Sequence, residues 1–440
     1  MRLVDRIVDN LDALLAYGAR GIWRTNPREF LDLATTDDNT TFVLRDGTLM
    51  TVVRVRGLTN TLQGQEMVDL IGEISEIMGR DLLRSGNHSL AISFEFDPDA
   101  AYQYAFDSLR STRLTARKLG MGEIIDEIVE EKSRKLADFC QVENTYLALY
   151  TYPSAIAANE LDGQIKERTE AMRTWPETAE ALLNDAAYPQ LRVRHKNMVD
   201  NFLANIGALT SVKDGSLMSE IAGVREYLKA AKQITEPGTS DKWVPRISDD
   251  FLKDIRVPSK PRRRDIKNAD HMMPPALPDQ LFTQNHESIG LKYAVMGNRI
   301  HYGLAVSMGP SEPETFDRLV IQAAGMRLPF RICISLKAHG AGVDYLNTLL
   351  AKTFPWASTA NQQVKEAHNE LVDYEKKSNG VVPAMYITAC TWADAVPKYT
   401  KKNGVTYDLK EINDRATKLN RAFQAWGGMQ TTDAFAAPLE

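Results

Sequence analysis

The stretch from Thr41 to Phe96 constrains the fold most. Phe42-Val43-Leu44-Arg45 leads into Asp46-Gly47, and Thr48 to Gly57 follows as a run rich in β-branched residues. Asp-Gly between two such runs is a strong hairpin signal, because the turn demands a positive φ that glycine adopts without strain. Leu49, Val53 and Val55 alternate to one face while Arg54 and Arg56 alternate to the other, so the pattern predicts a sheet with one buried side. Met67, Leu70, Ile71, Ile74, Ile77 and Met78 then recur at three- and four-residue spacing, the inward stripe of a helix. Ser89 to Phe96 reads as a third strand, stopped by Asp97-Pro98. The order is strand, strand, helix, strand.

That order returns late in the chain. Ile289 to Val295 and Arg299 to Ser307 read as strands around a turn at Gly297-Asn298. Glu314 to Met326 reads as a helix with Pro313 at its first turn and Phe316, Leu319, Val320 and Ala323 inward. Phe330 to Leu336 closes the unit. A helical stretch and a fourth strand follow in each half, Thr145 to Tyr152 and Ala384 to Trp392. Matching strands are about 240 residues apart, a spacing that points to internal duplication. The expected fold class is therefore α+β: two similar lobes of strand-strand-helix-strand units with added helices, joined by a helical segment and a Pro-rich connector.

The expected domain organisation is an N-terminal amphipathic helix (1–24), a first α+β lobe (25–180), a helical segment (181–234), a Pro-rich connector (235–280) and a second α+β lobe (281–440). Leu3, Ile7, Leu11, Leu14 and Leu15 stripe the first helix, and its Asp5, Asp9 and Asp12 disfavour an anionic lipid surface. Residues 101–140 are expected to be helical with a break near Gly120-Met121-Gly122, and Ile124, Ile125, Ile128 and Val129 are expected to face inward. Residues 157–175 and 178–232 continue helical, broken by Pro176, Pro189 and Gly215. From Thr235 to Pro278, eight residues that break regular structure (seven of them proline) read as an extended connector on the lobe surface. Lys260, Arg262, Arg263 and Arg264 form its basic run, a candidate contact for a polyanion or an acidic partner. No aromatic residues are interleaved with it, which favours a solvated linker. After a helix from Leu409 to Trp426, Gly427-Gly428 ends the last periodic element.

Composition narrows the partners. A net charge of −5 over 440 residues gives no global attraction for nucleic acid. Cys140, Cys333 and Cys390 stand alone, without disulfide or metal spacing, which fits a reducing cytoplasm. No segment has the ~18 uncharged apolar residues of a membrane span.

Motifs that carry chemistry are sparse. There is no GxxxxGK[ST] phosphate loop, no GxGxxG and no HExxH, and the seven histidines are scattered singly. Ala305-Val306-Ser307-Met308-Gly309 resembles a nucleophile elbow, but Ala305 occupies a position that the sharp turn reserves for glycine. His339-Gly340-Ala341-Gly342 resembles an esterase oxyanion loop, yet it follows Ser307 where that fold places it before the nucleophile. A strand end followed by a glycine turn accounts for both.

Taken together, FVLRDGTLMTVVRVRG, SLAISFEFDPD, LKYAVMGNRIHYGLAVSMGPSEPETFDRLV, RLPFRICISL and the ending TKLNRAFQAWGGMQTTDAFAAPLE resemble the N-terminal region of the assembly ATPases of conjugation and type IV secretion, in their IcmB/DotO/TraU-like branch. The resemblance covers most of the chain in its order of elements and rests on pattern and short stretches. It implies a component working at the cytoplasmic face of a bacterial inner membrane, cytoplasmic and peripheral, that docks to type IV secretion components and assists subunit assembly through self-association. The family's phosphate-binding lysine and acidic metal ligands lie in a C-terminal motor domain and match no position here. The resemblance therefore implies a non-motor portion with no catalytic residue, no cofactor, no metal and no small-molecule ligand, and with Leu439-Glu440 as a cloning remnant. Two other classes stand beside this reading: a hydrolase using Ser307 with His339 or another histidine, and a nucleic-acid-binding accessory protein using residues 260–264 with Arg192, Arg194 and Lys196. Direct nucleic-acid binding is the weaker expectation, given the overall charge.

Overall fold

The computed structural model describes residues 31–58, 62, 64–84, 86–173, 188–209, 217–240, 242–247, 276–283, 287–289, 292–308, 316–338, 383–400 and 404–433. The expected N-terminal helix, the 260–264 run and His339 lie outside them. The described chain is mixed α and β, with a twelve-stranded antiparallel sheet as its body.

The first half opens with β1 (Leu33–Thr36), β2 (Thr41–Leu44) and β3 (Leu49–Leu58). The Asp46 carboxylate accepts from the Thr48 amide and hydroxyl, both at 2.9 Å, and so closes the β2–β3 turn. Next come α1 (Gln65–Ile77), extended by a π-helical turn over Met78–Leu83, and then β4 (His88–Asp97). The short helices α2 (Ala101–Ser108) and α3 (Arg110–Lys118) and the longer α4 (Gly122–Phe139) lead to β5 (Val142–Thr151). Helices α5 (Ala158–Arg173) and α6 (Pro189–Gly207) follow, then β6 (Leu217–Ile221) and α7 (Val224–Thr235).

After the short α8 (Leu277–Leu281), the second half repeats the plan. It comprises β7 (Glu287–Ile289), β8 (Tyr293–Met296), β9 (Arg299–Met308), α9 (Phe316–Gly325), β10 (Phe330–Ala338) and β11 (Pro383–Asp394). A small separate hairpin, β12 (Pro397–Thr400) and β13 (Gly404–Tyr407), precedes α10 (Lys410–Ala425) and β14 (Gln430–Asp433).

The strand order is β1-β2-β3-β5-β4-β10-β11-β9-β8-β7. Read from either edge, the two halves have the same order. The repeated strand order also extends further than the sequence pattern indicates: β6 continues the outer edge of β3 beyond β2, and β14 continues that of β9 beyond β8. Each of these added strands follows a long helix, α6 or α10. Residues 178–232 are thus not uniformly helical, and the chain after Gly428 forms a strand that no periodicity announces.

The halves are not separate bodies, because β4 and β10 pair antiparallel over eight positions, from Phe96↔Phe330 to Ser89↔Lys337. On one face of this seam Phe96 stacks on Phe330 with ring centroids 5.5 Å apart, and Phe94 lies 6.0 Å from Phe330. On the other face Arg331 bonds Glu95, its register partner. Burial opposes the Arg331 charge, but the adjacent Glu95 carboxylate more than offsets it and holds the guanidinium firmly protonated.

One face of the sheet carries two aligned clusters. In the second half Leu319 and Ala323 of α9 and Ile412, Leu419 and Phe423 of α10 pack on Tyr302, Leu304, Phe330 and Ile332. In the first half Ile77, Leu82 and α6 residues Met198, Val199 and Phe202 pack on Val53, Leu90 and Leu149. The opposite face of the first half is buried as well, since Val224 and Leu228 of α7 with Leu277 and Leu281 of α8 cover Met50 and Val52. Leu49 to Val53 are therefore buried consecutively, and the expectation of a single buried side is corrected: Arg54 and Arg56 reach Glu226 and Glu220 near the rim.

The connector is anchored at both ends. Ile247 and Leu277 belong to the same cluster as Phe42 and Val52, so its described parts reach the core and are not surface linker throughout. Lys232, 2% exposed, donates to the carbonyls of Gln280 (2.9 Å) and Leu281 (3.0 Å) and pairs with Glu236 at 2.6 Å. Glu236 in turn accepts from Thr283. Just beyond, a Cβ on Gly297 would lie 3.0 Å from Pro237, so glycine serves the β8–β9 turn through both its φ of 58° and its lack of a side chain.

His195 on α6 is held in the buried interior by Thr51 (2.9 Å) and Thr151 (2.8 Å), and Thr151 also contacts His88 at 3.0 Å. Burial, then the neighbouring His88, push the His195 pKa down to about 4. The folded state therefore favours neutral imidazole, and this contribution is complete above about pH 6.5 and is lost as pH falls toward 4. Urea unfolding should show a loss of about 3 kcal/mol across that window that is absent from a His195→Gln variant. Lys232→Met, which strands Glu236 in the interior, should lower the unfolding free energy by about 3–5 kcal/mol at neutral pH.

Candidate interaction surface

Between β4 and β5 the chain leaves the sheet for 44 residues, 98–141, and returns to the adjacent strand. Helices α2, α3 and α4 of this excursion pack chiefly on one another and form an arm. Its inner contacts use small residues: Ala101, Ala105, Ala116, Val129 and Ser133 are buried. None of these residues joins a core cluster of the sheet, so the arm has only a small core of its own.

The turn from α3 to α4 is fixed by a paired backbone cap. Met121 N–H donates to the Ala116 carbonyl at 3.0 Å and Gly120 N–H to the Arg117 carbonyl at 3.2 Å, with Gly120 at φ 76°. Asp126 then clasps the two helices, accepting from Arg113 at 2.9 Å and Arg117 at 2.8 Å. These guanidiniums hold its carboxyl below the usual aspartate range. The Arg113 guanidinium also lies 3.8 Å from the Phe106 ring centroid, tying α3 to α2.

The base of the arm is braced against the second half. Asp97, 3% exposed, accepts from the Asp99 and Ala100 amides at 3.0 and 3.1 Å, and burial raises its pKa. Asp99 pairs with Arg415 of α10 at 3.0 Å. At the other foot Arg327, the one non-glycine residue with positive φ among the described residues, donates to the carbonyls of Ala137 and Asp138. It caps the last turn of α4, where unsatisfied carbonyls favour a cation.

Among its exposed charged residues the arm also leaves large apolar side chains outside. Leu119 (67% exposed), Met121 (48%), Ile124 (64%) and Ile128 (53%) are open, and Phe139 is exposed by 86%. This corrects the expected inward stripe: Val129 is buried and Ile125 half-buried, but Ile124 and Ile128 face out. Met67, Val68 and Ile71 of α1 are likewise exposed, although Leu70 and Ile77 of the same helix are buried. The sequence signal was present in both helices as more apolar positions than one packed face requires.

Other candidate residues are dispersed. Arg192 bonds the Asp37 carboxylate and Arg194 the Ala155 carbonyl, so two of the three cations are engaged within the fold, whereas Lys196 is exposed. Ser307 donates to the Gln430 carbonyl at 3.1 Å, across the β9–β14 junction. Cys140 is exposed and Cys333 and Cys390 are half-buried, all as free thiols. No described helix is long and apolar enough to cross a membrane, and no group of three or more metal-binding side chains is found among the described residues. No protein-family model and no curated protein matches the chain.

The Asp126 clasp yields a test. Asp126→Ala should speed hydrogen exchange of α3 and α4 amides several-fold while amides of β4 and β5 keep their protection, because the arm has its own small set of contacts.

Proposed function

We propose that this chain is the non-motor portion of a type IV secretion or conjugative transfer ATPase, acting in docking to the transfer machinery and in subunit assembly at the cytoplasmic face of the inner membrane. The observation that carries the reading is the α2–α4 arm, which exposes large apolar side chains on a base braced by both halves of the sheet. Exposed apolar side chains on a braced base are suited to being gripped by a neighbour, since covering them removes apolar surface from water. The resemblance of the two hairpins and of the 417–440 segment to that family supplies the identity of the machinery.

On this reading nucleotide chemistry belongs to a motor domain with its own phosphate loop. The purified chain should neither hydrolyse ATP above the buffer blank nor bind it in calorimetry. In a bacterium carrying a type IV transfer apparatus, the tagged chain should co-purify with the inner-membrane components of that apparatus. Sustained ATP turnover by the chain, or recovery without any of those components, defeats the proposal.

A further inference from the structure

The arm segregates its charge between α3 and the first ten residues of α4, whose C-terminal half adds Lys132, Arg134 and Lys135. Arg110, Arg113, Arg117 and Lys118 give α3 four cations and no anion. Residues 122–131 of α4 carry five carboxylates (Glu123, Asp126, Glu127, Glu130 and Glu131) and no cation. Within one arm Asp126 takes Arg113 and Arg117, while Glu130 and Glu131 pair along their own helix with Arg134 and Lys135. Lys118, Glu123 and Glu127 project outward beside the exposed Leu119, Met121, Ile124 and Ile128.

A basic helix lying beside an acidic stretch is complementary to itself after a half-turn. A two-fold axis lays α3 of one copy along α4 of the other and repeats the same contact on the other side. We infer that the arm is a self-association surface whose occupant is the arm of a second copy of this chain, with the apolar residues of both closing at the centre. A uniformly basic partner would leave α3 facing like charge, and a uniformly acidic one would do the same to α4. An anionic membrane is opposed by the carboxylates that flank Ile124 and Ile128. At 18 residues α4 is about 27 Å long, so the footprint is that of a weak, concentration-dependent dimer.

Sedimentation velocity on the chain from about 1 to 200 µM tests this, a range that brackets weak association. The expected result is a monomer–dimer equilibrium that weakens with added salt. Ile124→Lys with Ile128→Lys should weaken it at least about tenfold. Because both side chains are exposed, the variant should keep the wild-type circular dichroism and unfolding midpoint. Lys118→Glu in one chain, and Glu123→Lys with Glu127→Lys in another, should each weaken the homodimer, whereas mixing the two should restore association, since both copies of the contact then join opposite charges. A chain that is monomeric throughout, a dimer indifferent to the isoleucine changes, or a mixture that fails to associate overturns the inference. The inference rests on the assembly reading only for its biological use. A monomeric chain that still co-purifies with transfer components ends the inference and spares that reading, and a dimer that turns over ATP does the reverse.

Discussion

The pairing of β4 with β10 is the contact on which the rest of the molecule depends. Eight register pairs join the two halves, comparable to the nine between β10 and β11, so the seam is as extensive as the sheet within one half. Its buried face is aromatic and its other face holds the Arg331–Glu95 pair. Backbone hydrogen bonds, ring packing and a charge pair therefore act at the same positions. Without this seam each half would expose a long, flat, apolar strand edge, the feature most prone to unwanted pairing.

Once the seam is made, the placement of the helices follows. Antiparallel pairing of two copies of one unit relates them by a half-turn normal to the sheet, which puts α1 and α9, and α6 and α10, on the same face. The other face of the first half is then free to receive α7 and the ends of the connector, clamped by the Lys232–Glu236 pair. The excursion over residues 98–141 is the arm, and its attachment to Arg415 and Arg327 ties a first-half feature to second-half residues. An arm held in this way is tied to both halves of the sheet.

Much of the strand framework was legible in advance. The two hairpins, β4, β10 and β11 are long, β-branched and bounded by turn residues, so local pattern and tertiary role agree. Where they disagreed, the reason is physical. β14 is Gln-Thr-Thr-Asp, with no apolar alternation, and it is a strand because the outer edge of β9 offers unpaired backbone groups to it. β6 depends on β3 in the same way. The inward stripe assigned to α4 was too wide because helical periodicity reports which residues share a face, not whether anything packs against it. The proline-rich connector looked unanchored because its anchors, Lys232 and Thr283, lie just outside it and act through backbone carbonyls and a carboxylate.

By itself the amino-acid sequence determined the local elements and their repetition: β-branched alternation selects strands, three- and four-residue spacing selects helices, and the second set copies the first. Tertiary structure alone decided that the copies share one sheet and that Ile124 and Ile128 remain outside. It also decided that Lys232 is buried with a counter-charge. Those outcomes depend on which edge finds which partner across more than two hundred residues, and local periodicity has no term for a contact at that distance.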